Sequence, residues 1–200
     1  MKAIAKRERV DVMARLLADK RSENTRRAYR CDLNDFFTTM TGSEATPEHV
    51  QDFLNLSRGQ ANGVVLEYKA DLLERGLAEA TVNRRLAALR SLVSYAKVLG
   101  AVDWELDVSG EPVTTYRDTR GVTPADIRAI LSGCNLATLK GKRDYALLRL
   151  LWDNALRRGE IVKLNVGDFD AQARRLAILG KGKGSQKEWI DLSARTAQAL

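Results

Sequence analysis

Apolar side chains recur at helical spacing along most of this 200-residue chain, and the period shortens once, after about residue 170. That single change confines the architecture to a largely helical body with a late β element. The stripe is plainest where Tyr29, Leu33, Phe36, Phe37 and Met40 fall at i, i+4, i+7, i+8 and i+11, which predicts a helix over 22–41 with one buried face. Ser22 or Asn24 can cap its first turn. Thr46-Pro47 pairs a cap with a first-turn proline and opens a helix to about residue 56, ended by a turn at Arg58-Gly59-Gln60. A third helix, 61–75, would stop at Gly76. Thr81 would cap a fourth, in which Val82, Leu86, Leu89, Val93 and Ala96 line one side before Gly100. Four helices thus predict one compact domain over 22–100, with 1–21 as an N-terminal arm.

Residues 101–121 carry weak helix signals and an acidic, then Arg-containing, composition, and read as an interdomain linker. A second domain over 122–200 follows. Thr123-Pro124-Ala125-Asp126 has the spacing of a capping box and starts a helix to about residue 131. The most apolar helix, 143–154, carries Leu147, Leu150, Leu151 and Asn154 on one side, and 157–164 makes a shorter one. The stretches 175–179 and 187–192 are strand-like around Gly180-Lys181-Gly182-Lys183-Gly184-Ser185, which predicts a β-hairpin. Ser193 restarts a helix still running at Leu200, so the chain reads as cut rather than finished.

Charge narrows the partners. Lys and Arg number 33 against 26 Asp and Glu, a formal net charge of +7. The excess is local: Lys20, Arg21, Arg26, Arg27 and Arg30 face a single acid, Glu23; Arg84, Arg85 and Arg90 sit in the acid-free stretch 80–96; Arg174, Arg175, Lys181, Lys183 and Lys187 cluster late. Basic clusters separated by the acidic 101–111 point to several surfaces turned toward one polyanion, nucleic acid, with a set of solvated helix faces as the alternative that a net charge of +7 does not by itself exclude. Two distant Cys and the lone His49 exclude a Cys/His zinc site within this chain, so no metal or other cofactor is expected. No apolar run approaches the roughly 18 residues of a membrane helix. The opening residues have no signal-peptide core either, and the expected location is the cytoplasm. A P-loop reading of 180–185 fails, because Gly184 rather than Lys precedes Ser185.

Two motifs carry the chemistry. In Ala155-Leu156-Arg157-Arg158-Gly159-Glu160-Ile161-Val162-Lys163-Leu164, an Arg stands where a buried helix breaks into another. A guanidinium held there by packing presents a rigid fork to phosphate. In Leu179-Gly180-Lys181-Gly182-Lys183-Gly184, a Lys rides a Gly-rich turn; with a depressed pKa it could serve as general acid to an alkoxide.

The first of these resembles the G-L-R-x-[SG]-E-x-x-x-L block of the tyrosine recombinases, or phage-type integrases, with Ala155 in the Gly place. Lys181 matches the G-K-G turn that bears the catalytic lysine of that family. Asn24-Thr25-Arg26-Arg27-Ala28-Tyr29-Arg30-Cys31-Asp32-Leu33 resembles its N-T-x-x-A-Y-x-x-D-L helix start. Ala80 to Arg90, containing Thr81, Asn83, Arg84, Arg85 and Arg90, resembles its T-x-N-R-x-L-x-x-L-R helix.

The resemblance implies a mainly α fold: a four-helix SAM-like core-binding domain, then an incomplete α+β catalytic domain with a β-hairpin. It implies that Arg157 clamps the nonbridging oxygens of a scissile DNA phosphate and Lys181 protonates the departing 5′ oxygen, with Glu160 bracing the Arg157 helix. Arg158 is the nearest rival for the clamp. DNA contacts are expected from Asn24, Thr25, Arg26, Arg27, Arg30, Thr81, Asn83, Arg84, Arg85 and Arg90. Lys183 and Lys187 add phosphate contacts or solubility. The H-x-x-R pair and nucleophilic Tyr of the family, which come later in its pattern, have no counterpart here, so this chain is expected to bind DNA without cutting it. Self-association on DNA is expected of the complete protein. The alternative is a non-catalytic helical DNA-binding regulator, which explains the basic helices but neither the Arg157 block nor the Lys-bearing hairpin.

Overall fold

The computed structural model describes residues 11–113, 121–180 and 185–200. The chain divides into two compact units, 1–116 and 117–200. In the first, α1 (Val12–Asp19), α2 (Glu23–Thr41), α3 (Pro47–Leu54), α4 (Arg58–Glu74) and α5 (Glu79–Val98) surround one core. The helices predicted over 22–100 are α2 to α5. The 12–19 part of the expected arm is instead α1: Asp11 accepts a hydrogen bond from Ala14 N at 2.8 Å, and Val12 and Leu16 are buried with the other helices. The amphipathic pairs of that segment needed a partner face, and α2, α3 and α5 supply it.

Local caps decide the helix starts. Ser22 accepts from Thr25 N, and Thr46 from His49 N. The expected turn at 58–60 is the first turn of α4, because Ser57 and Gln60 form a reciprocal capping box just before it. α5 begins two residues before Thr81, which lies inside its first turn, and Ala78 takes the cap position without a side-chain bond. Gly76 and Gly100 follow their helices at φ +69° and +71°, a conformation that side-chain-bearing residues adopt at a cost. In the centre Phe36 meets Phe37, Phe53 and Tyr68 edge to face at 5.0–5.2 Å. Cys31 is exposed on α2 and Cys134 half-buried, so neither is a packed core thiol.

Residues 101–113 are not a bare linker. They run extended across the first unit: Val108 is buried in its core, and Val102, Trp104 and Leu106 pack against it. Ala101, Asp103, Glu105, Asp107 and Ser109 face outward. This is strand-like alternation, with no partner strand among the described residues.

The second unit holds α6 (Pro124–Ser132), opened by the predicted Thr123–Asp126 capping box, then α7 (Leu139–Asp153), α8 (Arg158–Ile161) and α9 (Ala194–Ala199). On α7, Leu150 is buried and Leu147 partly so, whereas Leu151 is exposed. α8 is one turn rather than the longer helix expected: Val162 is exposed, while Ile161 is buried in the core and Leu164 packs against it beyond the helix end. The strands β1 (Phe169–Asp170), β2 (Arg175–Ile178) and β3 (Glu188–Asp191) form an antiparallel sheet in that order, with Leu176 opposite Ile190 and Ile178 opposite Glu188. β2 and β3 are the predicted hairpin strands. β1, too short to show a period, was invisible beforehand.

Candidate functional site

At the start of α2, Arg26 turns back on its own chain. Its Nε donates to Lys20 O at 2.8 Å, and its guanidinium lies 3.3 Å from Glu23. Arg27 donates to Asn24 Oδ1 at 2.7 Å, while Thr25 is half-buried. Arg30 is exposed one turn on. Of this cluster, Arg27 and Arg30 point charge at solvent, and Arg26 staples the α1–α2 connection.

The arginines of α5 are sorted differently. Arg84 and Arg85 reach α2, where Asp32 and Asp35 receive them: Arg84 pairs with Asp32, and Arg85 with Asp35. Tyr68 of α4 donates to Asp35 at 2.7 Å, and Arg75, which caps α4, binds Asp35 at 3.0 and 3.2 Å and Asp71 at 3.0 Å. Three carboxylates and three guanidinium groups thus offset one another across three helices. Asp32 has its side chain 1% exposed, and burial raises its pKa despite Arg84 and Arg85. Burial also presses upward on Asp35, but the hydrogen bonds from Arg75 and Tyr68, with the Arg85 and Arg75 charges, more than offset it and hold its carboxyl below the usual range. Arg85 is 12% exposed and inside this network; Arg84 keeps 49% of its side chain in solvent. Nothing in the sequence pairs Asp35 with Arg85, fifty positions away.

Asn83 and Arg90, expected at DNA, both engage the extended 101–113 segment. Asn83 exchanges two hydrogen bonds with the backbone of Glu111, and Arg90 donates to Val108 O at 2.9 Å. Thr81 lies half-buried beside them in sequence.

In the second unit the 155–164 block has a clear geometry. α7 ends at Asp153; Asn154 donates to Asp191 O at 3.0 Å, and Asp153 receives Arg149 at 2.5 Å and the hydroxyl of Thr196. The backbone then reverses at Ala155, with φ +50°, which explains why glycine suits the pattern at that place. Leu156 drops into the core, and Arg157 becomes the cap residue of α8. Glu160 holds it twice: it accepts from Arg157 N at 2.8 Å and from Nη1 at 3.0 Å. The carboxylate is 7% exposed and the guanidinium 71%. A fixed root with an open head is what anchoring a phosphate oxygen requires. Arg158 starts the helix as an exposed residue.

Lys181 and Lys183 lie outside the described residues. Lys187 is not a free cation: it pairs with Asp168, whose other oxygen accepts from Asn165 N at 2.9 Å. The hydrogen bond from Lys187 is the main reason that the Asp168 carboxyl titrates below its ordinary range. The pair ties the base of β3 to the turn Val166–Asp168. Asp168 was not a sequence candidate, and its only signal is the capping spacing from Asn165. Among the described residues no cluster of three or more His, Cys, Asp or Glu could hold a metal ion, and no helix is long and apolar enough to cross a membrane.

Residues 13–99 match the phage integrase N-terminal SAM-like domain, and residues 120–200 match the phage integrase family. A tyrosine recombinase of Synechococcus elongatus is 50% identical over the whole chain, which spans 62% of that relative. One of Synechocystis sp. is 50% identical across 92% of the chain and 59% of its own length. The tyrosine recombinase XerC of Roseiflexus castenholzii is 32% identical over 95% of the chain and 59% of its length. The chain therefore spans about six tenths of these relatives. Among solved structures, the Tn1549 transposon integrase in complex with transposon right end DNA shares the fold, with a TM-score of 0.62 at 18% identity, over 95% of this chain and 63% of that one.

Proposed function

As this chain belongs to the phage integrase family, the tyrosine recombinases, we propose that it binds double-stranded DNA and supplies part of the phosphate-clamping machinery of site-specific recombination. The observation that carries this reading is Arg157, held at its backbone and guanidinium by the buried Glu160 and open to solvent at its head. In this reading Arg157 takes the nonbridging oxygens of the scissile phosphate, which gain charge as the pentacovalent state forms. A cation already held in place costs no reorganisation at that moment. Glu160 is a positioning residue for Arg157. Lys181 delivers a proton to the leaving 5′ oxygen. Arg27, Arg30 and the half-exposed Arg84 make phosphate contacts on the first unit. The role proposed for the groups of these 200 residues is therefore to bind and orient a phosphate. Assembly of several copies on DNA belongs to the complete protein.

A gel-shift titration over salt tests the claim. Affinity should fall with a log–log slope of about −0.9 per phosphate contact. Arg157→Ala should weaken binding about tenfold, the worth of a charge-assisted bond, in a titration run below the variant's own Tm, which falls because the buried Glu160 carboxylate loses this partner. Absence of binding at low salt, or indifference to salt, refutes the proposal.

A further inference from the structure

Residues 101–111 are held to the first unit by an unusual density of polar contacts for a segment without regular structure. Lys97 binds Glu105 at 2.7 Å, Arg58 binds Asp107 at 3.1 Å, and Asp107 N donates to Asn62 Oδ1 at 3.0 Å. Lys69 reaches both Ser109 O at 2.9 Å and the Glu111 carboxylate at 2.7 Å. Every one of these bases lies on α4 or α5, and every partner lies on the strap. The acids read as a linker composition are therefore the strap's fastenings.

The last fastening is the most specific. The Asn83 amide donates from Nδ2 to Glu111 O at 2.8 Å and accepts from Glu111 N at 2.7 Å, satisfying both backbone groups of one residue as a paired strand would. The preceding residue is fitted to this contact. A Cβ added at Gly110 would stand 2.3 Å from Asn83 Oδ1 and 3.0 Å from Asn83 Cγ, so any side chain there displaces the amide. Gly110 has no positive φ, so a side chain there would act on the Asn83 contact rather than on the backbone.

We propose that Asn83, Gly110 and Glu111 form a latch that fixes where the backbone leaves the first unit, and that Asn83 and Arg90 are positioning residues of this strap rather than phosphate contacts. With the strap packed and fastened along its length and this latch as its last hold, 112–122 rather than 101–122 is the connection to Thr123 at the cap of α6. At about 3.4 Å per residue, this halves the greatest span the connection can reach, from about 75 Å to about 37 Å. Two DNA-binding units on the shorter tether meet one duplex at higher effective concentration. That consequence rests on the DNA-binding reading above; the latch itself does not.

Two measurements on the full chain separate them. Amide hydrogen exchange at Glu111 should accelerate about tenfold in Asn83→Ala and equally in Gly110→Ala, because each removes the same pair of bonds. Asn83→Asp, which still accepts but no longer donates to Glu111 O, should fall between. Amides inside α4 should keep their wild-type protection, which distinguishes unlatching from unfolding. Unchanged exchange at Glu111 in both variants overturns the latch. In the salt titration, Asn83→Ala and Arg90→Ala should retain the wild-type slope. A slope reduced by about 0.9 in Arg90→Ala makes Arg90 a phosphate contact and refutes its positioning role. If the wild-type chain fails to bind DNA while the exchange result holds, the functional reading falls and the latch stands.

Discussion

Arg85 and Arg30 are equivalent in the sequence, each a basic residue in a motif-bearing helix, and the structure predicts opposite behaviour for them. Replacing Arg85 with Ala removes a guanidinium that is 12% exposed, paired with Asp35 and 3.4 Å from the Tyr68 hydroxyl. Deleting one partner of a fully buried pair costs about 3–5 kcal/mol, because the remaining charge stays desolvated. Here Asp35 retains Arg75 and Tyr68, and Asp32 retains Arg84, so the loss should be smaller, about 2–3 kcal/mol. For a unit of this size that lowers Tm by roughly 10–15 °C. Arg30→Ala removes only an exposed side chain and should leave Tm within about 1 °C, while reducing the salt slope of DNA binding by about 0.9. Calorimetry followed by salt titration below the lower Tm reads both quantities. A stable Arg85→Ala protein with a reduced slope would refute the assignment of Arg85 to the internal network.

Three further outcomes follow from the second unit and the acid groups. Ala155→Gly should stabilise the second unit by about 0.5–1 kcal/mol, since relief of a left-handed alanine outweighs the extra freedom of glycine in the unfolded chain; a lower calorimetric Tm would contradict this. The folded Asp168 carboxyl has a depressed pKa, so its contribution is complete above the unfolded value of 3.8 and disappears as pH falls through the lower folded value. Lys187→Met should therefore reduce stability at pH 6 and flatten the loss below pH 4, and an acid limb identical to wild type would exclude the pair. Glu160→Ala should destabilise the second unit by about 1–2 kcal/mol by releasing Arg157 N and its guanidinium. It should also weaken DNA binding less than Arg157→Ala does; an equal or larger loss would place Glu160 itself at the phosphate.

Much of the architecture was legible because its causes are local. The Tyr29–Met40 stripe, the Thr46-Pro47 start, the Thr123–Asp126 box and the glycines after α4 and α5 act within one or two helical turns, so spacing alone reveals them. The misplaced starts of α4 and α5 have the same origin. Gly59 resembles a breaker until Ser57 and Gln60 are seen to cap around it, and Thr81 resembles a cap although the helix has already begun. The strap had a readable signal, Val102-x-Trp104-x-Leu106-x-Val108, whose period of two was hidden by its acidic composition.

Sequence alone determined which residue types this chain offers as candidate phosphate contacts: the Arg157 block, the lysine turn and the basic helices, in an order that resembles a tyrosine recombinase. The tertiary structure decided which of those charges remain available. Arg85, Arg90 and Lys187 are engaged by Asp35, Val108 O and Asp168, whereas Arg157 remains open above its buried Glu160. The reason is physical: a cationic side chain has the same intrinsic charge wherever it is written, but whether it meets solvent or a partner depends on what packing brings beside it, α2 against α5 for Arg85, the strap for Arg90 and the turn before β1 for Lys187.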